Sequence, residues 1–109
     1  MEVNDPLNKN QKITVKVDAE LAELIPAFLE NRGTDIQLMH KALKIGDYEI
    51  VERIGHGMKG AGSGFGFDAV TAIGTRIETA AKNKDWEEIQ KAIDELGTYL
   101  KRLEVVVYE

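Results

Sequence analysis

Gly55-His56-Gly57-Met58-Lys59-Gly60-Ala61-Gly62-Ser63-Gly64-Phe65-Gly66 carries six of the ten glycines of a 109-residue chain and one of its two histidines. Apolar residues run into and through it at helical spacing. A glycine inside a helix costs roughly 0.5–1 kcal/mol relative to alanine. Several in one segment therefore remove a few kcal/mol, a large share of the ~5–15 kcal/mol that stabilises a small domain. The stretch is thus expected to serve something other than helix stability, and the expectation is a partner that must come very close to His56.

A helical wheel at 100° per residue sorts the segment into faces. Val51, Ile54, Met58, Ala61 and Phe65 form one stripe, which reads as a core face. His56 lies about 140–160° away, on the solvent side. Its own face carries Glu49, Glu52, Arg53, Lys59, Gly60 and Ser63. The imidazole therefore points outward, with a cation one turn on and almost no side-chain bulk beyond it. A neutral imidazole is a nucleophile, and a nearby ammonium suits an incoming phosphoryl group.

His56-x-x-Lys59-Gly60, followed by small residues and then Gly66, resembles the histidine-containing phosphotransfer domain family, whose pattern is His-x-Leu-Lys-Gly with a glycine ten residues after the histidine. Met58 stands where leucine is usual, a change that conserves volume. The resemblance spans about residues 19–103. It implies that His56 is the phosphoacceptor, that Lys59 stabilises the phosphoryl group, and that Gly60 leaves room for a receiver domain. With these go Glu52, Arg53, Gly57, Ser63 and Gly64 as an expected docking surface.

Three other readings of the stretch fit less well. Gly55-His56-Gly57-Met58-Lys59-Gly60 matches the dinucleotide pattern G-x-G-x-x-G, but that pattern needs a buried strand before it, and Asp47–Ile54 is charged and helix-periodic. No Gly-Lys-Ser/Thr completes a phosphate-binding P-loop. A flexible glycine-rich loop with an incidental histidine is the plain alternative.

The length suits one domain with one modest core. At 43% hydrophobic and 30% charged residues, the composition is that of an ordinary globular protein. No apolar run reaches the 18 residues of a membrane span, and Met1–Pro6 shows no signal-peptide pattern. With no cysteine, disulfides and thiolate metal sites are excluded, which fits the cytoplasm. A net charge of −5 argues against nucleic-acid binding, and Lys9, Lys12 and Lys16 are too sparse for a basic arm.

The remaining chain reads in order. Residues 1–12 are expected to be loosely ordered, ahead of a helical domain over 13–109. Ile13, Val15 and Val17 alternate with polar residues as in a strand, and Val105–Tyr108 is strand-like too; the two either pair or pack separately over the helices. Asp18 is a candidate N-cap, and Pro26 either kinks a helix or starts a new one. Leu29, Ile36, Met39 and Leu43 continue a stripe on which Arg32 also falls. Gly46 and Asp47 read as a stop and a cap, Asp68 as a further cap, and Asp85 with Glu88 as a capping box. Val70, Ile73, Ile77 and Ala80–Ala81 mark one more helix; Ile89, Ala92, Ile93, Leu96, Tyr99, Leu100 and Leu103 mark the last. Short connections predict an all-α, up-and-down antiparallel four-helix bundle with an N-terminal capping helix. His40 reads as a surface or boundary residue, Trp86 as a packing residue, and Glu87, Glu88, Asp94 and Glu95 as a solvated face.

The function expected is a phosphoryl carrier in a multistep phosphorelay, monomeric and without an ATP-binding domain. No metal or cofactor is expected on this chain; Mg²⁺ belongs on the receiver. The partners implied are response-regulator receiver domains and a hybrid sensor histidine kinase. The alternative is a helical interaction module, or an accessory domain of a signalling kinase, that carries no phosphate.

Overall fold

Four amphipathic runs separated by short polar turns become four helices in the computed structural model, which describes residues 11–108. The expectation for residues 1–12 falls largely on 1–10, outside the described residues. Strand β1 (Ile13–Asp18) leads through a 3₁₀ segment (Ala19–Leu24) into α1 (Ile25–Lys44), α2 (Tyr48–Phe65), α3 (Asp68–Lys82), α4 (Trp86–Arg102) and strand β2 (Leu103–Tyr108). Each helix packs on the next, and α4 closes the ring on α1. This is the up-and-down bundle the periodicity predicts, with the 3₁₀ segment as its N-terminal cap.

Side chains at the turns explain where the helices begin. The Asp18 carboxylate accepts from the Glu20 N–H at 2.8 Å, and that of Asp47 from the Ile50 N–H at 3.2 Å. Pro26 sits in the first turn of α1, where its missing N–H costs nothing, so it starts the helix rather than kinking it. Two capping expectations need correction. Asp68 is the first residue of α3 rather than its cap; Phe67 occupies the cap with no side-chain hydrogen bond. Asp85 caps Glu88 N–H at 3.2 Å, but the Glu88 carboxylate does not return the bond. It accepts instead from Arg76 Nε at 3.0 Å, and Arg76 also grips Glu95 in two further bonds. These two members of the supposed solvated face therefore clamp α4 to α3.

The core lies where the four stripes meet. Met39, Val51, Met58, Val70, Ile77, Ile89, Ile93 and Leu96 are buried there, each contributing roughly 1.5–3 kcal/mol of hydrophobic stabilisation. Phe28 of α1 packs between Phe65 and Phe67, ring centroids 4.8 and 4.9 Å away, and so ties α1 to the α2–α3 turn. Arg32, the cation on the apolar stripe, is buried with its guanidinium over the Phe28 ring and its Nε 2.9 Å from Asp35. Burial pushes the Asp35 carboxyl up, against the pull of Arg32.

The two terminal runs do pair. β1 and β2 form a parallel ribbon in register from Ile13↔Leu103 to Asp18↔Tyr108, and the entire bundle is the crossover that a parallel pair requires. Val17 is buried against the core, with Ile13, Val15, Leu103 and Val105 packed beside it. Trp86 departs from expectation: it stands 58% exposed at the start of α4. Among the described residues no helix is long and apolar enough to cross a membrane.

Candidate functional site

The site is built on the contact between α2 and α3, and that contact is made of glycine. A Cβ on Gly55 would lie 2.8 Å from Glu78 N and 3.0 Å from Gly74 O. One on Gly62 would lie 2.5 Å from Thr71 Oγ1 and 2.7 Å from Thr71 N. From the α3 side, one on Gly74 would lie 2.7 Å from Lys59 N and 2.8 Å from Gly55 O. The two backbones touch, and no side chain fits between them. Gly57, Gly60 and Gly64, in contrast, have nothing within 4 Å of a Cβ and face solvent. Gly66 has a third role, ending α2 in the left-handed region at φ 81°. Close approach of a partner, expected as the reason for the glycines of this stretch, is thus not the reason for all of them. Gly55 and Gly62 serve packing; Gly57, Gly60 and Gly64 leave the surface bare.

That close packing delivers a carboxylate to His56. With no side chain on Gly55, the α3 backbone at Glu78 lies against α2 one residue from the histidine. Glu78 Oε2 sits 3.0 Å from His56 Nδ1, and Oε1 sits 3.1 Å from Lys59 Nζ. Lys82, one turn along α3, places its Nζ 4.0 Å from Oε2. The Glu78 side chain is only 13% exposed, while the His56 side chain is 69% exposed. Lys59 first, and His56 second, hold the Glu78 carboxyl below the usual carboxylate range. The group is therefore an anion that can only accept hydrogen bonds. It follows that His56 Nδ1 carries a proton and donates it to Glu78, so that in the neutral ring the lone pair is the one on Nε2.

The expected site residues distribute as follows. His56 and Lys59 share one carboxylate, that of Glu78. Gly60 and Gly57 flank them as bare surface, with Gly64 beyond. Ser63 is exposed on the same helix, its Oγ 3.4 Å from Thr71 Oγ1, and Thr71 donates in turn to the Lys59 carbonyl at 3.3 Å. Glu52 and Arg53 line a shallow hollow beside the imidazole, together with Glu49, His56 and Glu78. His40 lies elsewhere, in a hollow between α1 and α4. The sequence reading missed Glu78, which is 22 residues from His56. Among the described residues no group of three or more His, Asp or Glu side chains is placed to hold a metal ion.

The site thus combines an anionic acceptor, an imidazole oriented through Nδ1, a neighbouring ammonium and bare backbone around them. A family model described as the Hpt domain matches residues 23–105. Comparison with curated proteins and with solved structures gives no match.

Proposed function

The chain belongs to the Hpt domain family, and on that footing we propose that it is a histidine phosphocarrier that takes a phosphoryl group from a receiver-domain aspartyl phosphate onto His56 Nε2 and passes it to another receiver. In uptake, the Nε2 lone pair forms the N–P bond while the P–O bond to the aspartate breaks, and the aspartate leaves as a carboxylate. The ring becomes more positive as that bond forms. Glu78, fixed on the Nδ1 proton, offsets this charge and stabilises the phosphorylated ring. Lys59, half-exposed and held by one carboxylate oxygen, is within reach to turn its ammonium to the phosphoryl oxygens. Phosphoryl transfer depends chiefly on in-line positioning and charge neutralisation, both of which this arrangement offers. The receiver brings Mg²⁺ and its own acidic pocket. A hybrid sensor kinase and response regulators in the cytoplasm are the partners of such a carrier, which has no kinase activity of its own.

The observation that supports this reading best is the Nδ1–H···Glu78 bond, because it leaves the nucleophilic nitrogen at the open surface. The test is incubation with phosphorylated receivers and Mg²⁺, followed by scoring acid-labile phosphate on this chain. Receivers that bind without transferring label would establish an interaction module instead.

Two variants probe the parts. Glu78→Gln keeps an acceptor for Nδ1–H but removes the charge; it is expected to fold and to take up phosphate roughly 10-fold more slowly or worse, the order of a charge-assisted contact. Uptake at the wild-type rate would show that Glu78 only props the ring. Gly60→Leu places a side chain about 40° around the helix from His56, in open space. It is expected to raise helix stability by up to about 1 kcal/mol, yet to slow transfer by about 100-fold because the receiver cannot bring its phosphoryl group within bonding range. A stable variant with unimpaired transfer would refute close approach at Gly60.

A further inference from the structure

Trp86 is the sole tryptophan, and it is spent on the surface. It stands at the end of α4 remote from β2, above a hollow lined by His40, Leu43, Lys44, Tyr48 and Gln90 between α1 and α4. Ile45, at the end of α1 beside this hollow, is 76% exposed. Two large apolar side chains are thus left in water at the same end of the bundle, and exposed apolar surface marks interaction sites. Tryptophan is moreover enriched where protein interfaces are strongest.

The charges around this patch identify the occupant. The last turn of α1 carries Lys41 and Lys44, and Lys44 lines the hollow with His40. On the other side of Trp86 a second hollow is lined by Asp85, Glu87, Glu88 and Asp94, with Lys91 the one cation among them. The patch is therefore bipolar, cationic along α1 and anionic along α4, with the indole between. A partner of a single charge would meet its own sign on half of it. A second copy turned by a two-fold axis would not, because in an isologous contact the α1 edge of each copy faces the α4 edge of the other. We propose that this end of the bundle is a self-association surface, in which Trp86 of each chain packs at the two-fold axis and Lys44 of each pairs with Glu87 of the other. No residue lining the hollow at Trp86 also lines the hollow at His56. His56 of each chain in such a dimer stays open to receivers, and association does not depend on phosphate transfer. This proposal differs from the monomer expected from the sequence.

Sedimentation equilibrium of the full chain over micromolar to millimolar concentration, read beside Trp86 fluorescence, tests this. Reversible dimers are expected, with emission moving to the blue as they form and with weaker association in high salt. Lys44→Glu and Glu87→Lys alter exposed side chains and should leave helicity unchanged; each alone is expected to weaken association about tenfold or more, since it sets like charges together twice in one dimer. The double variant Lys44→Glu/Glu87→Lys restores both pairs and is expected to recover association. A chain that stays monomeric with constant emission overturns the proposal. So does a dimer that survives Trp86→Ala, or a double variant no stronger than the singles.

Discussion

Gly74→Leu is expected to lower the melting temperature by roughly 15 °C, or to prevent folding outright, given that each kcal/mol of destabilisation moves a domain of this size by about 4–8 °C. A first side-chain carbon at this position already meets Lys59 N at 2.7 Å and Gly55 O at 2.8 Å. Both are backbone atoms of α2 and cannot rotate away, so the helices must separate. Overpacking a core costs about 1–3 kcal/mol when side chains can adjust; here they cannot, and at least 3 kcal/mol is the expected order, net of the better helix propensity of leucine. Separation also carries Glu78 away from His56. The same substitution at Gly60 is expected to raise the melting temperature. Thermal unfolding followed by circular dichroism decides the matter, and a Gly74→Leu protein as stable as the parent would mean that α2 and α3 do not touch as described.

His56→Gln is expected to abolish phosphate uptake completely while leaving the fold intact. The side chain is exposed, so its replacement opens no cavity, and the glutamine amide can still donate to Glu78. What disappears is the ring nitrogen proposed to form the N–P bond, for which an amide has no substitute. Labelled phosphate from a receiver should be absent from the variant at any time of incubation. Receiver binding, measured separately, should persist, because Gly57 and Gly60 remain bare. Acid-labile label on the variant would move the phosphoacceptor off His56. His40 is the other histidine of the chain.

The helices were legible because their signals are local. Apolar spacing of three and four residues gave four runs; Asp47 and Asp85 marked the starts of two of them, and Asp18 that of the 3₁₀ segment ahead of the first. The exposed face of His56 followed from angle alone. The division of the glycines was partly within reach of the same wheel, which places Gly55 and Gly62 within about 40° of Val51 and so near the buried side. Counting glycines hid that, because a count carries no direction. Glu78 was out of reach for a different reason. Its approach to His56 depends on the register of α3 against α2, which Gly55 and Gly74 set together through backbone contact. Sequence periodicity fixes which way a residue faces, but not what stands opposite. Trp86 was misjudged from the usual fate of a lone aromatic, while the turn that carries it projects it outward.

The parallel ribbon has a consequence for the order of folding. Ile13 and Leu103 are paired across about 90 residues of chain. Closing a loop of that length in an unstructured chain costs on the order of 4 kcal/mol of entropy beyond a constant, more than six residue pairs of a two-stranded sheet return. The α2–α3 and α3–α4 hairpins close loops of only a few residues. Contact order therefore places the helices in the folding nucleus and leaves the ribbon to zip once the bundle has brought its ends together. Val15 and Val105 report on the last step, and the His56–Glu78 pair, which needs only α2 and α3, is assembled before the chain has finished folding.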